Sequence, residues 1–217
     1  MTRRAFAMGS AALLGGCVSQ YRAPTARGMF PGVAAREDIY GEVEDDGYGI
    51  PAVEIAQIEP AYLRQTVAYS GGEPPGTVIV DPKNCFLHHV GAHGRATRYG
   101  VGVGRQGFGW SGTAAVRRKA EWPTWTPPPD MIARQPEFEE YALGMPGGLD
   151  NPLGARAMYL YQGSRDTLYR LHGTNEPDSI GKHVSSGCIR LINQDIVDLY
   201  DRVSIGTKVV VLSNRMS

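Results

Sequence analysis

From Thr77 to Leu212 the sequence is interrupted every few residues by glycine, proline, asparagine or aspartate, and the runs between are short and rich in β-branched and aromatic residues. "TVIV" leads through "DPKN" to "CFLHHV" and "ATRYGVGVG"; the pattern returns in "RAMYLYQG" (156–163), "TLYRLHG" (167–173) and "TKVVVL" (207–212). Such runs suit pleated, half-buried strands joined by tight turns, starting with a β-meander, and are too short for helices. One segment has helical period: Ile196, Leu199, Tyr200 and Val203 recur at i, i+3, i+4 and i+7, with Asn193 placed to cap the start and Gly206 to close the end. The 28 Gly, 15 Pro and 11 Tyr among 217 residues agree. The expectation is a mainly β, single-domain fold, a β-sandwich or barrel-like arrangement with a few short helices.

The first residues read as targeting. "MTRRAFAMGSAALLGGC" pairs Arg3 with Arg4 before a weakly apolar run ending at Leu14, far short of the roughly 20 residues that span a bilayer. The opening resembles a twin-arginine export signal, and Leu14-Gly15-Gly16-Cys17 resembles a lipobox. Residues 1–16 are expected to be a signal peptide and Cys17 a lipidated first residue, several acyl chains giving a firm anchor. The alternative is an ordinary cleaved signal with Cys17 discarded. Val18 after the cysteine favours the outer membrane over the inner, by analogy with lipoproteins. Residues 17–36 read as a tether, and 37–75 as an extension packed on the outside, in which "PAYLRQTVAY" is expected to make one short helix. With 22 basic and 22 acidic residues, no charge excess exists to hold nucleic acid.

Chemistry concentrates in "LHGTNEPDSIGKHVSSGCIRL", where His172 precedes Cys188 by sixteen positions. A thiol attacks only as thiolate and needs a base or positive charge beside it. His172 ends a strand and Cys188 sits in a Ser-Gly-Cys turn before "IRLI", so both can lie at one cleft. Gly187 lets the backbone bend there, and the amides of Gly187 and Cys188 can face a developing oxyanion. Export keeps a second reading open, a disulfide between Cys85 and Cys188. Ser185 and Ser186 are expected to hydrogen-bond turn backbone. Arg190 either supports the turn through an ion pair or meets a substrate carboxylate. His88, His89 and His93 flank a glycine turn without the helical spacing of a zinc site, and read as exposed hairpin residues. His183 either lines the acceptor side or is solvated, while Cys85 reads as an apolar filler or exposed thiol. The insert from "RRKAE" through "GLDNPLGA" is long for a loop; its Trp122 to Pro129 segment is either part of a lid or an apolar flap closing one end of the fold.

His172-Gly173-Thr174, Ile180-Gly181 and Ser185-Ser186-Gly187-Cys188-Ile189-Arg190-Leu191, with Asn193 and Asp195, resemble the signature of the L,D-transpeptidases with a YkuD-type catalytic domain. "GVGVGRQGF", "PTWTPP", "GGLDNPLGARAMYL" and "GTKVVVL" extend the resemblance over residues 76–212; many members carry His where Ser186 stands. It implies a catalytic domain over 76–213 and a nucleophile, Cys188, that attacks the third residue, diaminopimelate, of a peptidoglycan tetrapeptide stem and expels D-alanine. His172 exchanges the protons and the Gly173 carbonyl orients it. Arg190, Ser185, Ser186 and Thr174 would line the substrate. No cofactor or metal is implied. The partners are stem peptides, with an outer-membrane protein as alternative acceptor, and a membrane reached through the lipid anchor in the periplasm. A non-catalytic wall-binding lipoprotein with its cysteines oxidised together is the competing class; a thiol oxidoreductase lacks a Cys-Xaa-Xaa-Cys.

Overall fold

A computed structural model describes residues 38–105, 110–185 and 187–213. The signal segment, Cys17, the tether and Ser186 lie outside them. An N-terminal hairpin, β1 (Val43–Asp45) with β2 (Tyr48–Ile50), is followed by β3 (Gln65–Ala68), β4 (Val78–Asp81), β5 (Phe86–Val90), β6 (Arg95–Gly100) and β7 (Val103–Gly104). After β8 (Gly112–Glu121), the insert holds α1 (Pro129–Arg134); then come β9 (Arg156–Gln162), β10 (Arg165–His172), β11 (His183–Ser185), β12 (Ile189–Arg190), α2 (Asn193–Arg202) and β13 (Lys208–Val211).

The expected mainly β architecture is realised as one nine-stranded sheet in the order β12-β10-β9-β8-β13-β4-β5-β6-β3, with two small sheets beside it. β4, β5 and β6 form the antiparallel meander. β4 runs between β5 and a parallel β13, and Val78, Ile79 and Val80 are all buried. That is why "TVIV" lacks alternation: a strand covered on both faces needs apolar residues on both. The main core joins Leu87, Tyr99, Leu160, Leu171 and Val209 from the sheet to Ile196 and Leu199 of α2. Removing such a side chain, as in Leu171→Ala, costs about 2–5 kcal/mol through lost burial and the cavity left.

Several local expectations give way to tertiary demands. "PAYLRQTVAY" splits into a 3-10 turn at Pro60–Tyr62 and β3, because the open edge of β6 pairs with Thr66 and Val67. Asn193 does not cap α2: Ile192 is the N-cap, and Asn193 Oδ1 instead accepts the Ala155 amide at 3.0 Å. Nor does Gly206 end that helix; it stops at Arg202 and Gly206 takes a left-handed turn before β13. "RRKAE" is the end of β8 rather than loop. His88 and His89 are half-buried on β5, and only His93 is exposed.

The extension is tied to α2 through a buried polar network. Tyr40 Oη donates to Asp195, whose carboxylate is 0% exposed, and Arg64 lies 3.5 Å from Asp195 and 2.7 Å from Asp198. Tyr99 Oη donates to Asp198 at 2.6 Å, and Arg202 pairs with it at 2.8 Å. Burial pushes Asp195 up to about 7 against the pull of Arg64 and Tyr40. For Asp198, hydrogen bonds from Arg202 and Tyr99 and the Arg64 charge outweigh burial and hold it at about 2.

An acid raised on folding contributes stability that is complete below its unfolded value and lost as pH climbs through the folded one. Asp195 therefore favours the folded chain near pH 4 and withdraws that support toward about 7, whereas Asp198 acts in the opposite sense only below pH 4. The expected result is that Asp195→Asn flattens the decline of melting temperature between pH 4 and 7. Parallel declines in the two proteins would show that Asp195 is not its source.

Candidate active site

β10 and β12 are parallel neighbours, with Leu171 opposite Ile189 and His172 opposite Arg190. Leu171 and Ile189 both point into the main core. Side chains alternate along strands, so Arg170, His172, Cys188 and Arg190 leave together on the other face. Residues widely separated in the chain thus form one polar patch on a rigid edge of the sheet.

The turn that carries Cys188 is closed by a serine and gripped from beneath. Ser185 Oγ donates to the Cys188 carbonyl at 2.7 Å and accepts the Gly187 amide at 3.2 Å. Before the turn, β11 pairs with β7, and the Arg105 amide donates to Ser185 O at 3.1 Å. After it, Gly102 and Arg190 exchange backbone hydrogen bonds of 2.9 and 2.8 Å. Residues 102–105 are therefore a splint for both sides of the Cys188 turn. The fit needs glycine: a Cβ on Gly104 would stand 2.8 Å from Gly187 Cα, and one on Gly102 2.8 Å from Ser179 O. Val101 and Val103, on either side of Gly102, are buried in the core, so "GVGVG" alternates core anchors with backbone contacts.

His172 is 4% exposed, and its Nδ1 lies 2.5 Å from Gly173 O. A carbonyl only accepts, so Nδ1 carries the proton and Nε2 keeps its lone pair. Burial, reinforced by the Arg190 and Arg170 charges against the Gly173 hydrogen bond, pushes the imidazole down to about 4. Burial also pushes the Cys188 thiol up, while the Arg170 amide and the Arg170 and Arg190 charges oppose it. At neutral pH Cys188 rests as a thiol and His172 as a free base, protonation states that suit proton transfer timed to attack rather than a stored thiolate.

The other expected residues divide. Arg190 is ion-paired to Glu176 at 2.6 Å. Thr174 is buried, with Oγ1 accepting the Glu176 amide in a local turn. The Gly187 amide, expected to face an oxyanion, is engaged inside the turn by Ser185. Cys85 and Cys188 are both free thiols. Cys85 is 2% exposed and pushed up to about 11 by burial and Asp81. His183 is exposed, in keeping with the solvated alternative; its ring lies 3.9 Å from Cys85 Sγ and Nε2 donates to Pro82 O at 3.0 Å. Trp122 is an anchor rather than a mobile lid residue; it stacks on Tyr48, and Nε1 donates to Asp45 at 2.9 Å. Beyond it Trp125 bridges Met145, and Leu143 stands fully exposed. Two openings are lined by described residues, and neither lining includes Arg170, His172, Cys188 or Arg190. One is bordered by Trp110, Tyr169, Gly187 and Ile189; the other, about 310 Å³, by residues 50–54, Thr174, Asn175 and Pro177. Sequence reasoning missed Arg170 and Asp166, whose only signal was a charged residue two positions before the histidine.

The YkuD family model, the L,D-transpeptidase catalytic domain, matches residues 75–211. Among curated proteins of Escherichia coli K12, the chain is 41% identical to Probable L,D-transpeptidase ErfK/SrfK over 52% of its own length and 36% of the relative's. It is 32% identical to Probable L,D-transpeptidase YcfS over 82% of its length and 62% of the relative's. In both cases it spans less than two thirds of the relative. A solved structure from Brucella melitensis, described as a Probable carnitine operon oxidoreductase, is 48% identical over 73% of this chain and 99% of that one, with a TM-score of 0.50.

The splint makes a direct prediction. Gly104→Ala forces a Cβ against Gly187 backbone, which is expected to destabilise the fold by about 1–3 kcal/mol through overpacking and to slow reactions of Cys188 about 100-fold by displacing the turn. Urea denaturation and site-resolved alkylation of Cys188 check both; an unshifted reactivity would show that the splint does not position the thiol.

Proposed function

The chain belongs to the family of YkuD-type L,D-transpeptidase catalytic domains, and from that premise we propose that it is a peptidoglycan L,D-transpeptidase whose nucleophile is Cys188. The observation that carries the reading is the shared face of β10 and β12, with His172 tied through Nδ1 to Gly173 O and its Nε2 lone pair available. Nε2 takes the thiol proton while the sulfur attacks the diaminopimelate carbonyl of a tetrapeptide stem. The developing oxyanion falls to the amides of Cys188 and Gly187, the latter exchanging its bond to Ser185 Oγ for one to the substrate. The proton returns to the departing D-alanine amine, leaving a thioester. An acceptor amine then attacks the thioester, gives its proton to His172 and restores the thiol. One amide replaces another, so no external energy source or cofactor enters.

The favoured acceptor is a second stem, giving a 3-3 cross-link; attachment of an outer-membrane protein uses the same thioester. Arg190, Ser185, Ser186 and Thr174 are assigned to the substrate's surroundings, Ser185 acting through the turn it closes. The twin-arginine-like opening and the lipobox ending at Cys17 support export to the periplasm and a lipid anchor, with the outer membrane favoured. Free Cys85 and Cys188 count against a wall-binding module held by their disulfide. The buried, hard-to-ionise Cys85 gives no support to thiol–disulfide exchange, which needs a second reactive thiol.

The decisive experiment incubates the chain without its first seventeen residues with diaminopimelate-containing tetrapeptide muropeptides, beside Cys188→Ala, and follows protein and products by mass spectrometry. An adduct on Cys188 with dimeric products is expected, and none with the variant. Tripeptide alone would turn the reading toward hydrolysis or a protein acceptor, and a reduced protein that forms no adduct would sink the enzyme.

A further inference from the structure

The pairing of β10 with β9 slips between Asp166 and Arg170. In that bulge Leu168 adopts φ +64 and exposes 74% of its surface. A leucine in left-handed backbone with its side chain in water is unfavourable on both counts, so its surroundings must impose the conformation. They do so through Asp166. Its Oδ1 accepts the Leu168 amide and Arg170 Nη1, both at 2.8 Å, while Oδ2 accepts Arg170 Nη2 at 2.9 Å. Thr167 completes the frame, its Oγ1 donating to Leu160 O at 2.7 Å and accepting the Tyr169 amide at 3.2 Å.

The consequence appears at the sulfur. Cys188 Sγ lies 3.9 Å from Leu168 O, and the Arg170 amide donates to the same sulfur. The slipped backbone turns one acceptor and one donor toward a thiol, which suits both of its protonation states: the thiol donates to the carbonyl, and the thiolate accepts from the amide. We propose that the two-pronged Asp166–Arg170 pair is a positioning device for the nucleophile, holding the Leu168 bulge so that the Arg170 amide and guanidinium stabilise the Cys188 thiolate as it forms. Arg170 contacts the reacting atom through its amide; Asp166 acts through Arg170 and Leu168.

The charged and titratable groups facing Cys188 are Asp166, Tyr169, Arg170 and His172 from β10 and Arg190 from β12, the last already paired with Glu176. Asp166 alone opposes the thiolate among the carboxylates of β10, and its charge is committed to a planar fork that lysine cannot reproduce. The inference rests only on Cys188 being a nucleophile, not on the identity of its substrate.

The test measures iodoacetamide alkylation of Cys188 against pH in the full chain in mild detergent, resolved by peptide mass spectrometry, with melting temperatures alongside. Asp166→Ala and Arg170→Lys are expected to raise the alkylation midpoint by about one pH unit and slow the reaction at pH 7 about tenfold. Leu168→Gly keeps both charges and accommodates the same left-handed backbone, so this control is expected to melt no lower than the native chain with an unmoved midpoint. Asp166→Ala or Arg170→Lys folded with an unmoved midpoint would overturn the proposal and leave the pair a structural one. If those two fail to fold, Asp166→Asn, which keeps the shape of the side chain and loses the charged fork, decides in their place, since an unmoved midpoint there removes the pair from the mechanism. A native Cys188 inert across the whole pH range would instead sink the nucleophile reading itself.

Discussion

Everything at the site depends on how closely two stretches of backbone approach each other: residues 102–105 against the turn that carries Cys188. The approach is possible because Gly102 and Gly104 have no side chains where the turn and Ser179 press against them, while Val101 and Val103 fix the same segment into the core. Backbone hydrogen bonds on both sides of the turn, to Ser185 and to Arg190, then leave Cys188 little freedom. A nucleophile on a rigid turn between two strand ends loses less orientational freedom on the way to reaction than one on an open loop. The core and the chemistry are therefore coupled: the valines that stabilise the sheet also aim the thiol.

Burial sets the second constraint. It lowers the basicity of His172 and makes Cys188 harder to ionise, so both groups rest uncharged at neutral pH. Each compensating device is local and polar: the Gly173 carbonyl on Nδ1, the Arg170 amide on sulfur and two nearby guanidiniums. Left-handed backbone at Leu168 and Trp122 shows where the fold holds strain to build this surface. At Trp122 the strain is offset by the Tyr48 stack and the Asp45 hydrogen bond, and at Leu168 by the Asp166 fork.

The sequence made the strands, the meander and the neighbouring positions of His172 and Cys188 legible, because these follow from local period and from a histidine and a cysteine at adjoining strand ends. It misled wherever a distant partner outbid a local one. Asn193 looks like a helix cap, yet its carbonyl oxygen is more useful to Ala155, where it also fills the space that a side chain on Gly173 would need. "PAYLRQTVAY" has helix-compatible composition, but an unpaired strand edge at β6 offers its backbone better partners. His183 sits near Cys188 in sequence and beside Cys85 in space. Asp166 and Arg170 were invisible because a bulge breaks the alternation by which the faces of a strand are read.

The extension belongs to the same mechanical unit as the family domain, although that domain begins only at residue 75. Asp45 receives both Nη atoms of Arg156, at 2.6 and 2.7 Å, as well as the indole of Trp122. Trp122 donates its backbone amide to Ala155 O, and the Ala155 amide goes to Asn193 Oδ1, which is wedged against Gly173. Gly173 in turn holds His172. A continuous chain of polar contacts thus runs from the N-terminal hairpin, through the root of the insert, to the carbonyl that orients His172. Arg156 and Asp45 are only 8% and 14% exposed, so breaking their pair would strand a charge in a poorly solvated place rather than merely release a surface contact. The hairpin consequently does more than cover the sheet: it fixes where the insert begins.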